Sequence, residues 1–344
     1  MNYPERIAGV EELENLLTIP NEELVRMMKR LPGDIMILGI AGKMGVTMGK
    51  LAANAVRQAG TDKKIIGVAR FSRPEERARL ESWGIRTIAC DLLDQAAVNR
   101  LPQVENVIFM AGRKFGTDGS ENRTWAMNVL APAYCAEHFR ESRIVAFSTG
   151  CVYPLTGVES GGCTEEASPA PVGEYAQSCL GRERIFQYAA EKNGTRVLLF
   201  RLNYAVDLRY GVLHDIAGNI WEGKPVDNTV GYFNVIWQGD ANSNALRALE
   251  LVASPAAVLN ATGPETVSVE KTALQLGKIM NREVSFKGKP GNCCYLNNSA
   301  RMCGYFGYPE VPLDRMIRWQ ADWIANGGIS IGKPTHFEVN NGRF

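Results

Sequence analysis

The residues best suited to bind a ligand form a glycine-rich loop, Gly39-Ile40-Ala41-Gly42-Lys43-Met44-Gly45. The loop follows an apolar run at 34–38 and precedes a helical pattern over Val46–Gln58. Glycines three apart allow a tight turn and close backbone approach, and a helix N-terminus offers free N–H donors to an anion. This context predicts binding of a dinucleotide pyrophosphate, with cofactor contacts from Gly39, Gly42, Lys43, Met44 and Gly45.

The segment that ends the second predicted strand bears on which dinucleotide is bound. An NAD-selective site usually places an Asp or Glu there to hold the ribose hydroxyls, and this sequence has neither. Arg70, Ser72 and Arg73 could instead receive a 2′-phosphate, or they could be solvated surface residues. The sequence therefore favours NADP slightly over NAD and leaves both open.

After the third predicted strand, Asp91 and Leu92 stand where they could contact the adenine. Asp91 could accept a hydrogen bond from the adenine amino group, and Leu92 could pack on the ring. The same carboxylate is also suited to cap the next helix. We assign both residues to the cofactor and keep capping as the alternative role of Asp91.

Strand-like and helix-like segments alternate from residue 34 onward. Helical patterns such as Val46–Gln58 and Ala126–Glu141 separate the strands. With short loops and right-handed crossovers, such alternation builds an α/β fold, a Rossmann-type doubly wound parallel sheet. The strand candidates are Asp34–Leu38, Lys64–Ala69, Thr87–Ala89, Asn106–Met110, Arg143–Phe147 and Arg196–Arg201.

Beyond residue 204 the pattern loosens, then closes with helical stretches at Val269–Met280 and Leu313–Ala325. This half is predicted to form a smaller C-terminal substrate lobe. We therefore expect a helical N-terminal extension at 1–32, an NAD(P)-binding Rossmann domain at 33–204 and a mainly substrate-binding lobe at 205–344. Some segments of the last part could return to the Rossmann domain.

The N-terminal extension has apolar residues at helical spacing over 10–31, interrupted by Pro20. Asn21 is suited to cap the second segment, because its side-chain oxygen can accept a free backbone N–H. The pattern predicts two short helices. A partner-binding role for them is compatible with the rest of the sequence.

Composition narrows the classes of partner. The 38 Lys and Arg residues nearly balance the 37 Asp and Glu residues, so we expect no nucleic-acid partner. No stretch approaches 18 apolar residues, and the charged N-terminus does not resemble a secretory signal, so we expect a cytoplasmic protein without a membrane partner. The eight cysteines are expected to be reduced. Cys293, Cys294 and Cys303 lack a second ligand pair, so we predict no metal.

The segment Phe147-Ser148-Thr149-Gly150-Cys151-Val152-Tyr153-Pro154 resembles the SS-x-x-VYG stretch of the extended short-chain dehydrogenase/reductase family, the NAD-dependent epimerase/dehydratases of sugar nucleotides. The resemblance runs from about residue 34 to 325. Further matches are the glycine spacing, Asp91-Leu92, Ala111-Gly112, Asn128-Val129, Leu259-Asn260-Ala261-Thr262-Gly263 and Gly307-Tyr308-Pro309.

The resemblance implies hydride transfer coupled to proton transfer at one carbon. By position, Tyr175 matches the family's acid/base and Thr149 matches the hydroxyl that holds the substrate oxygen. Ala111, Gly112 and Asn128 then belong to the cofactor site. In the family, the helices that contain residue 128 and begin near residue 175 commonly form a homodimer interface, so we expect a homodimer.

One family residue is missing. The lysine that should follow the tyrosine by four positions, and that lowers the pKa of the phenol, is replaced by Cys179. An unperturbed phenol has a pKa of about 10, and a neutral thiol supplies no positive charge to lower it. Three substitutes are open: the ring of the oxidised cofactor, Arg182, or the loop cations Arg113 and Lys114. We prefer Lys114, because a loop at the carboxyl edge of the sheet can point inward.

The lobe supplies polar and aromatic residues that could face a sugar, and we assign Asn203, Tyr204, His214 and Asn234 to the substrate. The first functional hypothesis is an NAD(P)-dependent epimerase or oxidoreductase that acts on a hydroxyl or ketone of a sugar or sugar derivative. Gly150-Cys151 stands where a dehydratase would carry Asp-Glu, so a dehydratase is less favoured. The alternative is a catalytically impaired NAD(P)-binding protein of the same fold, acting as a sensor or structural module.

Overall fold

A computed structural model describes residues 3–114 and 119–339 of the chain. Residues 1 and 2 of the predicted extension and residues 340–344 of the predicted lobe lie outside the described part. The strands are β1 Ile35–Leu38, β2 Ile65–Ala69, β3 Arg86–Ala89, β4 Asn106–Phe109, β5 Arg143–Thr149, β6 Thr156–Gly157, β7 Arg196–Leu202, β8 Ala205–Val206, β9 Val226–Asp227, β10 Tyr232–Phe233, β11 Ile236–Trp237, β12 Ala257–Ala261, β13 Val267–Ser268, β14 Phe286–Lys287 and β15 Cys293–Cys294.

The α-helices lie between these strands and before the first. They are α1 Val10–Leu17, α2 Glu22–Arg30, α3 Gly45–Ala59, α4 Pro74–Ser82, α5 Gln95–Val98, α6 Glu121–Trp125, α7 Ala131–His138, α8 Gly173–Asn193, α9 Val212–Trp221, α10 Gln238–Arg247, α11 Val269–Met280, α12 Ala300–Phe306 and α13 Leu313–Ala325. A π-helical turn, Ala126–Leu130, joins α6 to α7.

The central sheet has seven parallel strands in the order β12-β7-β5-β4-β1-β2-β3. Every residue of β1 and β4 is buried, because helices cover both faces of the sheet. The strand order reverses between β1 and β4, which opens a crevice at the carboxyl edge. The predicted Rossmann-type α/β fold is therefore confirmed.

The six strands expected from the sequence form within two residues of their predicted bounds. The predicted helix at 126–141 differs: helical structure begins earlier, at Glu121, and passes through the π-helical turn. Pro132 has no N–H to donate to the carbonyl of Asn128, so the regular α-helical ladder is interrupted there. Arg182 Nε approaches that carbonyl at 3.4 Å.

Part of the chain beyond residue 204 packs with the Rossmann sheet. β12 pairs in parallel with β7 as the edge strand of the central sheet, with Leu259 beside Phe200. α10 packs on α3, where the side-chain amides of Gln238 and Asn242 donate to the Thr47 hydroxyl at 3.0 and 3.1 Å. The sequence left these segments unassigned because their short apolar runs are ambiguous.

The remaining C-terminal elements form a lobe around α9, α11 and α13. Its apolar core includes the rings of Trp237 and Trp319, whose centroids lie 5.5 Å apart. β8 and β11 pair at the base of the lobe, next to the carboxyl edge of the central sheet. The lobe therefore lies over the edge at which parallel α/β sheets bind ligands.

The N-terminal helices are part of the folded body. Leu13 and Leu17 of α1 belong to the core of the lobe, whereas Leu24 and Met27 of α2 pack in the core beneath the sheet. Asn21 caps α2 by accepting a hydrogen bond from Leu24 N at 2.9 Å, as predicted. Because their apolar faces are buried internally, these helices join the lobe to the sheet and do not present an apolar surface to a partner.

A buried ion pair fixes α8 against the sheet. Glu183 of α8 accepts from Arg201 Nη2 of β7 at 2.6 Å, with both side chains at most 4% exposed. Ser148 of β5 donates to the same carboxylate at 2.5 Å. Arg201 Nη1 donates to the Tyr153 hydroxyl at 2.6 Å, which itself donates to Asn260 at 2.9 Å. This network connects α8, β5, β7 and β12.

Removing the charge of Glu183 should destabilise the fold strongly. Glu183→Gln leaves the Arg201 guanidinium buried without a counter-ion, which typically costs about 3–5 kcal/mol. The measurement is the free energy of unfolding in urea. The matched control is Glu22→Gln, which breaks the exposed pair with Arg26 and should cost about 0.5 kcal/mol or less. Equal small losses in both variants would contradict this role for the buried pair.

Candidate functional site

The glycine loop leaves β1 in a conformation that only glycine tolerates well. Gly39 has φ +94°, and a Cβ built there would lie 2.8 Å from the backbone nitrogen of Ala111. At Gly45, the first residue of α3, a Cβ would lie 2.4 Å from the carbonyl oxygen of Ile40. The loop is therefore folded tightly onto itself, with the N-terminus of α3 facing outward.

A cavity of about 780 Å³ opens at the carboxyl ends of β1 to β4. Loop glycines form one wall, and residues that follow β2, β3 and β4 form the others. Its walls contain seven of the residues that the sequence assigned to the cofactor: Gly39, Gly42, Arg70, Asp91, Leu92, Ala111 and Gly112. A cavity of this volume, with a glycine cradle and a helix N-terminus, fits a dinucleotide.

Two of the loop residues assigned to the cofactor are directed elsewhere. Lys43 extends toward the lobe, where its Nζ lies 3.4 Å from the ring centre of Tyr210 and 3.4 Å from the carbonyl oxygen of Ala205. Met44 packs against the core beneath the sheet. Both side chains thus point away from the dinucleotide cavity, and contact of Lys43 and Met44 with the cofactor through their backbone N–H groups stays a prediction.

Asn128 holds one wall of the cavity, the loop after β4, through hydrogen bonds to Arg113. It is buried, and its Oδ1 accepts from Arg113 N at 2.8 Å while its Nδ2 donates to Arg113 O at 3.0 Å. The same Nδ2 donates to Ser178 of α8 at 2.9 Å. Asn128 thus holds the loop after β4 in place and acts on the cofactor site through the backbone of Arg113.

At the adenosine end, Arg70, Ser72 and Arg73 line the cavity together with Glu76. Arg73 forms an ion pair with Glu76. Asp91 accepts from Leu93 N at 3.0 Å. The helix cap suggested for Asp91 belongs to Asp94, which accepts from Ala97 N at 3.0 Å.

The sequence missed two cationic residues of the cavity wall, Arg123 of α6 and Lys333. Lys333 belongs to the segment after α13, which folds back across the lobe. Ile331 N donates to Arg209 O at 3.0 Å, and Thr335 N donates to Asp215 at 2.8 Å. This segment has no regular structure of its own, so no periodicity could have revealed it.

The predicted acid/base and its hydroxyl partner come together where β5 ends and α8 begins. The hydroxyl of Thr149 lies close to the phenol of Tyr175. Thr149 Oγ1 accepts from Cys151 N at 3.2 Å. The thiol of Cys179, one helical turn after Tyr175, also lies close to the phenol. The three catalytic positions proposed from the sequence are therefore adjacent in space.

Burial sets the protonation of this group. It raises the pKa of Tyr175 well above its usual range, opposed by the Arg182 guanidinium and the Thr149 hydroxyl. Burial also raises the pKa of the Cys179 thiol to about 11, although Arg182 and the phenol oppose it. Both groups are thus neutral at pH 7, and the thiol does not replace the missing positive charge.

Arg182 brings a positive charge closer to the phenol than its sequence position suggested. Its Nη1 donates to Phe147 O at 2.8 Å and its Nη2 donates to Asn128 Oδ1 at 2.7 Å. These bonds hold the guanidinium without an ion pair to any described carboxylate within 4.0 Å. Helical side chains lean toward the N-terminus, so a long side chain at i+7 reaches back toward residues i and i+4.

Lys114, our preferred substitute from the sequence, lies on the same side of the site. Burial lowers the pKa of Lys114, and the nearby Cys151, Asp215 and Cys179 oppose that effect. The structure thus brings two cations to the catalytic residues: Arg182 from within α8 and Lys114 from the loop after β4.

Three of the four residues assigned to the substrate are internal. The Asn203 amide donates to Tyr295 O and to Asn297 Oδ1, both at 3.1 Å. The Asn234 amide donates to Glu265 O at 2.9 Å, and His214 lies between Leu208 O and Ser330 Oγ, each at 2.9 Å. Because their side chains are buried and hydrogen-bonded to other groups of the protein, these three residues help to hold the lobe together, and their contact with a substrate stays a prediction.

Tyr204 is the fourth, and it borders the cleft between the sheet and the lobe. It is half-buried and adopts φ +41°, an unusual conformation for a tyrosine. Tyr210, Cys151 and Tyr295 lie near it. Backbone strain of this kind often marks a ligand-binding position.

Within residues 3–114 and 119–339, no group of three His, Cys, Asp or Glu side chains could hold a metal ion. All eight cysteines are free thiols. In the same ranges, no helix has both the length and the apolar character needed to cross a membrane.

Comparison with known proteins agrees with this geometry. The NAD dependent epimerase/dehydratase family matches residues 35–206, from β1 to β8. The chain belongs to this family. The resemblance inferred from residues 147–154 is therefore confirmed, and the family is one of enzymes. No protein of curated function matches the sequence.

Solved structures share the fold at low identity. UDP-glucuronic acid 4-epimerase from Bacillus cereus is 16% identical, with a TM-score of 0.68 over 85% of this chain and 98% of its own. UDP-glucose 4-epimerase from Thermotoga maritima is 16% identical, with a TM-score of 0.67 over the same shares. WbmH from Bordetella bronchiseptica, solved with NAD+, is 19% identical, with a TM-score of 0.68 over 87% of this chain and 100% of its own.

Gly39→Ala should weaken dinucleotide binding by about tenfold or more, because φ +94° strains an alanine by about 1–3 kcal/mol and its Cβ would displace Ala111. Titration with NADH or NADPH, followed by nicotinamide fluorescence, measures the effect. Gly304→Ala, in open space on α12, is the matched control and should bind normally. Unchanged affinity in Gly39→Ala would show that the loop is not the cofactor cradle.

Proposed function

We propose that the chain is an NAD(P)-dependent epimerase or oxidoreductase that acts on a hydroxyl or ketone of a sugar or sugar derivative. The observation that carries this proposal is the proximity of the Thr149 hydroxyl to the Tyr175 phenol, close to the loop after β4 that lines the dinucleotide cavity. A hydroxyl and a phenol placed in this way can hold one substrate oxygen and exchange its proton.

The dinucleotide, when bound, accepts or supplies the hydride. The glycine loop and the N-terminus of α3 would hold its pyrophosphate, and Gly39 leaves the space that the close approach requires. Leu92 and Ala111 would border the bound nucleotide. Asn128 would keep the loop after β4 in position through its two hydrogen bonds to Arg113.

Tyr175 would take the proton from a substrate hydroxyl during oxidation and return it during reduction, while Thr149 holds the same oxygen. The neutral phenol is ready to donate. To accept a proton it must first ionise, and we propose that Lys114 and Arg182 together supply the positive charge that Cys179 does not. Arg182 would act as a positioning residue, because its guanidinium is fixed by Phe147 and Asn128.

A sugar substrate is supported by the character of the structural neighbours. Two of them are UDP-sugar epimerases, one acting on UDP-glucuronic acid and one on UDP-glucose. In this chain, Tyr204 and Tyr210 border the cleft beside the catalytic pair, and aromatic faces pack well against sugar rings.

A homodimer is part of the same proposal. Trp125 of α6, Leu130 of the π-helical turn and Tyr188 of α8 are 38%, 43% and 60% exposed. These elements pack on one another, and they contain the helices at which the resemblance to the family implies a homodimer interface. Exposed apolar residues on them would be covered in a dimer.

Tyr175→Phe should lower turnover by about 10²- to 10⁴-fold, because general acid–base catalysis by the phenol contributes that much. The assay follows reduced nicotinamide by absorbance with a panel of sugars and sugar acids. Tyr188→Phe, on the exposed face of the same helix, is the matched control and should keep full activity. Cofactor affinity should stay unchanged in both variants.

The pH dependence gives a second readout of the same role. Because burial raises the pKa of Tyr175 well above the neutral range, only a small fraction of the phenol is ionised there, and that fraction grows as pH rises. Oxidation of a hydroxyl should therefore accelerate with pH through the neutral range. Reduction of a ketone uses the neutral phenol and should stay level over that range. Turnover that survives Tyr175→Phe would contradict the proposed mechanism.

A specific observation favours the second candidate function, a binding module: Cys179 supplies no charge to the phenol. Tight dinucleotide binding without turnover on any member of the panel would support that module. Turnover lost in Lys114→Met, with cofactor affinity retained, would support the enzyme and its substitute cation.

We propose NADP as the preferred cofactor. Arg70 and Ser72 line the adenosine end of the cavity, and no carboxylate ends β2 to hold the ribose hydroxyls. Arg73 is less suited to this role, because it is engaged with Glu76. The neighbours solved with NAD share too little sequence to decide the preference of this chain.

Arg70→Ala should weaken NADP binding by about tenfold, equivalent to about 1.4 kcal/mol, and leave NAD binding nearly unchanged. The loss would reflect a missing charge-assisted hydrogen bond to the 2′-phosphate. Calorimetric titration with each dinucleotide gives both values. Arg86→Ala, at the amino-terminal end of β3 and outside the lining of the cavity, is the control. Equal losses for NAD and NADP would show that Arg70 does not read the 2′-phosphate.

A further inference from the structure

Lys43 leaves the glycine loop and enters the cleft between sheet and lobe. Four other residues gather around it: Lys114, Tyr204, Tyr210 and Asp215. We call this group of five the basic cleft. All five side chains are partly exposed.

The ammonium of Lys43 has unused hydrogen-bonding capacity. It can donate three hydrogen bonds, and within the described ranges its one hydrogen bond is the long contact of 3.4 Å to Ala205 O. The Tyr210 ring lies beneath it at 3.4 Å and offers a cation–π contact. No described carboxylate oxygen lies within 4.0 Å of it.

The nearest carboxylates are already engaged. Asp207 accepts from Arg209 N at 2.7 Å and from Arg209 Nη2 at 2.9 Å. Asp215 Oδ2 accepts from Thr335 N at 2.8 Å and from the Thr335 hydroxyl. These two carboxylates reduce the positive electrostatic potential at Lys43, but neither of them accepts a hydrogen bond from its ammonium.

Positive charge is crowded at Lys43, because Lys114 and Arg209 lie near it. Burial lowers the pKa of Lys43 to about 7, Lys114 and Arg209 lower it further, and Asp207 and Asp215 oppose them. A negatively charged group placed between the loop and the lobe would stabilise the protonated form of Lys43 and offset the effect of burial and of the neighbouring cations on its pKa.

A second observation points to a ligand at the same place. Tyr295 is 6% exposed, and its hydroxyl has no hydrogen-bond partner within the described ranges. Tyr204 and Cys151 lie close to that phenol. An unsatisfied buried hydroxyl is costly, and a ligand oxygen in the cleft would satisfy it.

We propose that the basic cleft binds an anionic substituent of the substrate, a carboxylate or phosphate carried by the sugar, with Lys43 as the residue that contacts it. This inference rests on the proposed function, since it names the substrate class of the same site. Lys114 lies near both Lys43 and the catalytic pair. It belongs to the basic cleft, and it is close to Cys151 and Cys179, which adjoin Thr149 and Tyr175. A sugar with its reacting carbon at the catalytic pair would thus carry its charge toward Lys43.

The cofactor pyrophosphate is a less suitable occupant of this place. The loop residues that line the dinucleotide cavity are Gly39, Ala41 and Gly42, whereas Lys43 reaches across to β8 of the lobe. The cleft therefore belongs to the substrate side of the site.

The test measures binding of three probes to the full chain saturated with NADP: D-glucuronate, D-glucose 6-phosphate and D-glucose. Calorimetry at low ionic strength should show a charged probe binding at least about tenfold more tightly than neutral glucose. Lys43→Met should remove that advantage, Lys43→Arg should keep part of it, and Lys278→Met, an exposed lysine of α11, should have no effect. Comparison of the two charged probes distinguishes a carboxylate from a phosphate.

Three results would overturn the inference: no charged probe binds better than glucose, Lys43→Met leaves the advantage intact, or Lys43→Met weakens NADP binding by the same factor. The last would assign the ammonium to the pyrophosphate. Repeating the titration with Tyr175→Phe separates this inference from the proposed function. Lys43-dependent binding without turnover in the parent chain would sustain the anion site while the catalytic proposal fails.

Discussion

The candidate site depends on how α8 is held against the sheet, and the buried pair between Glu183 and Arg201 holds it. A carboxylate in an apolar interior is tolerated only when its charge and its lone pairs are satisfied, and here Arg201 and Ser148 do both. Because Ser148 directly precedes Thr149, the same carboxylate fixes the end of β5 and the register of α8. The proximity of the Thr149 hydroxyl to the Tyr175 phenol follows from that register.

Arg182, the neighbouring residue on α8, places a positive charge near the phenol of Tyr175. Arg182 lies one position before Glu183, yet its guanidinium is satisfied by neutral oxygens of Phe147 and Asn128. The two adjacent residues therefore have different roles. Glu183 neutralises Arg201, whereas Arg182 keeps a positive charge near the phenol of Tyr175. The interrupted helix at Pro132 contributes, because it leaves the Asn128 carbonyl within 3.4 Å of Arg182 Nε.

Local patterns in the sequence were sufficient to predict the framework of the fold. The buried strands, the glycine loop and the Asn21 cap each depend on neighbours within a few positions, so the sequence contains the cause of each. Side-chain direction is different. Whether Lys43 faces the cofactor or the lobe, and whether Asn203 faces a ligand or Tyr295, depends on segments more than ninety residues away. The wall formed by Lys333 is likewise set by packing of the C-terminal segment on the lobe.

The N-terminal extension takes part in setting the charge of the basic cleft. Glu14 of α1 is 6% exposed and pairs with Arg209 at 3.0 Å and with Arg79 of α4. Arg209 also donates to Asp207 from its Nη2 and from its backbone N–H. An Asp207 engaged in this way is not directly paired with Lys43, whose ammonium keeps its donors directed at the cleft. The helix α1, which precedes the Rossmann sheet, thus contributes one buried carboxylate to the ion pairs of Arg209 and Asp207, which lie beside Lys43.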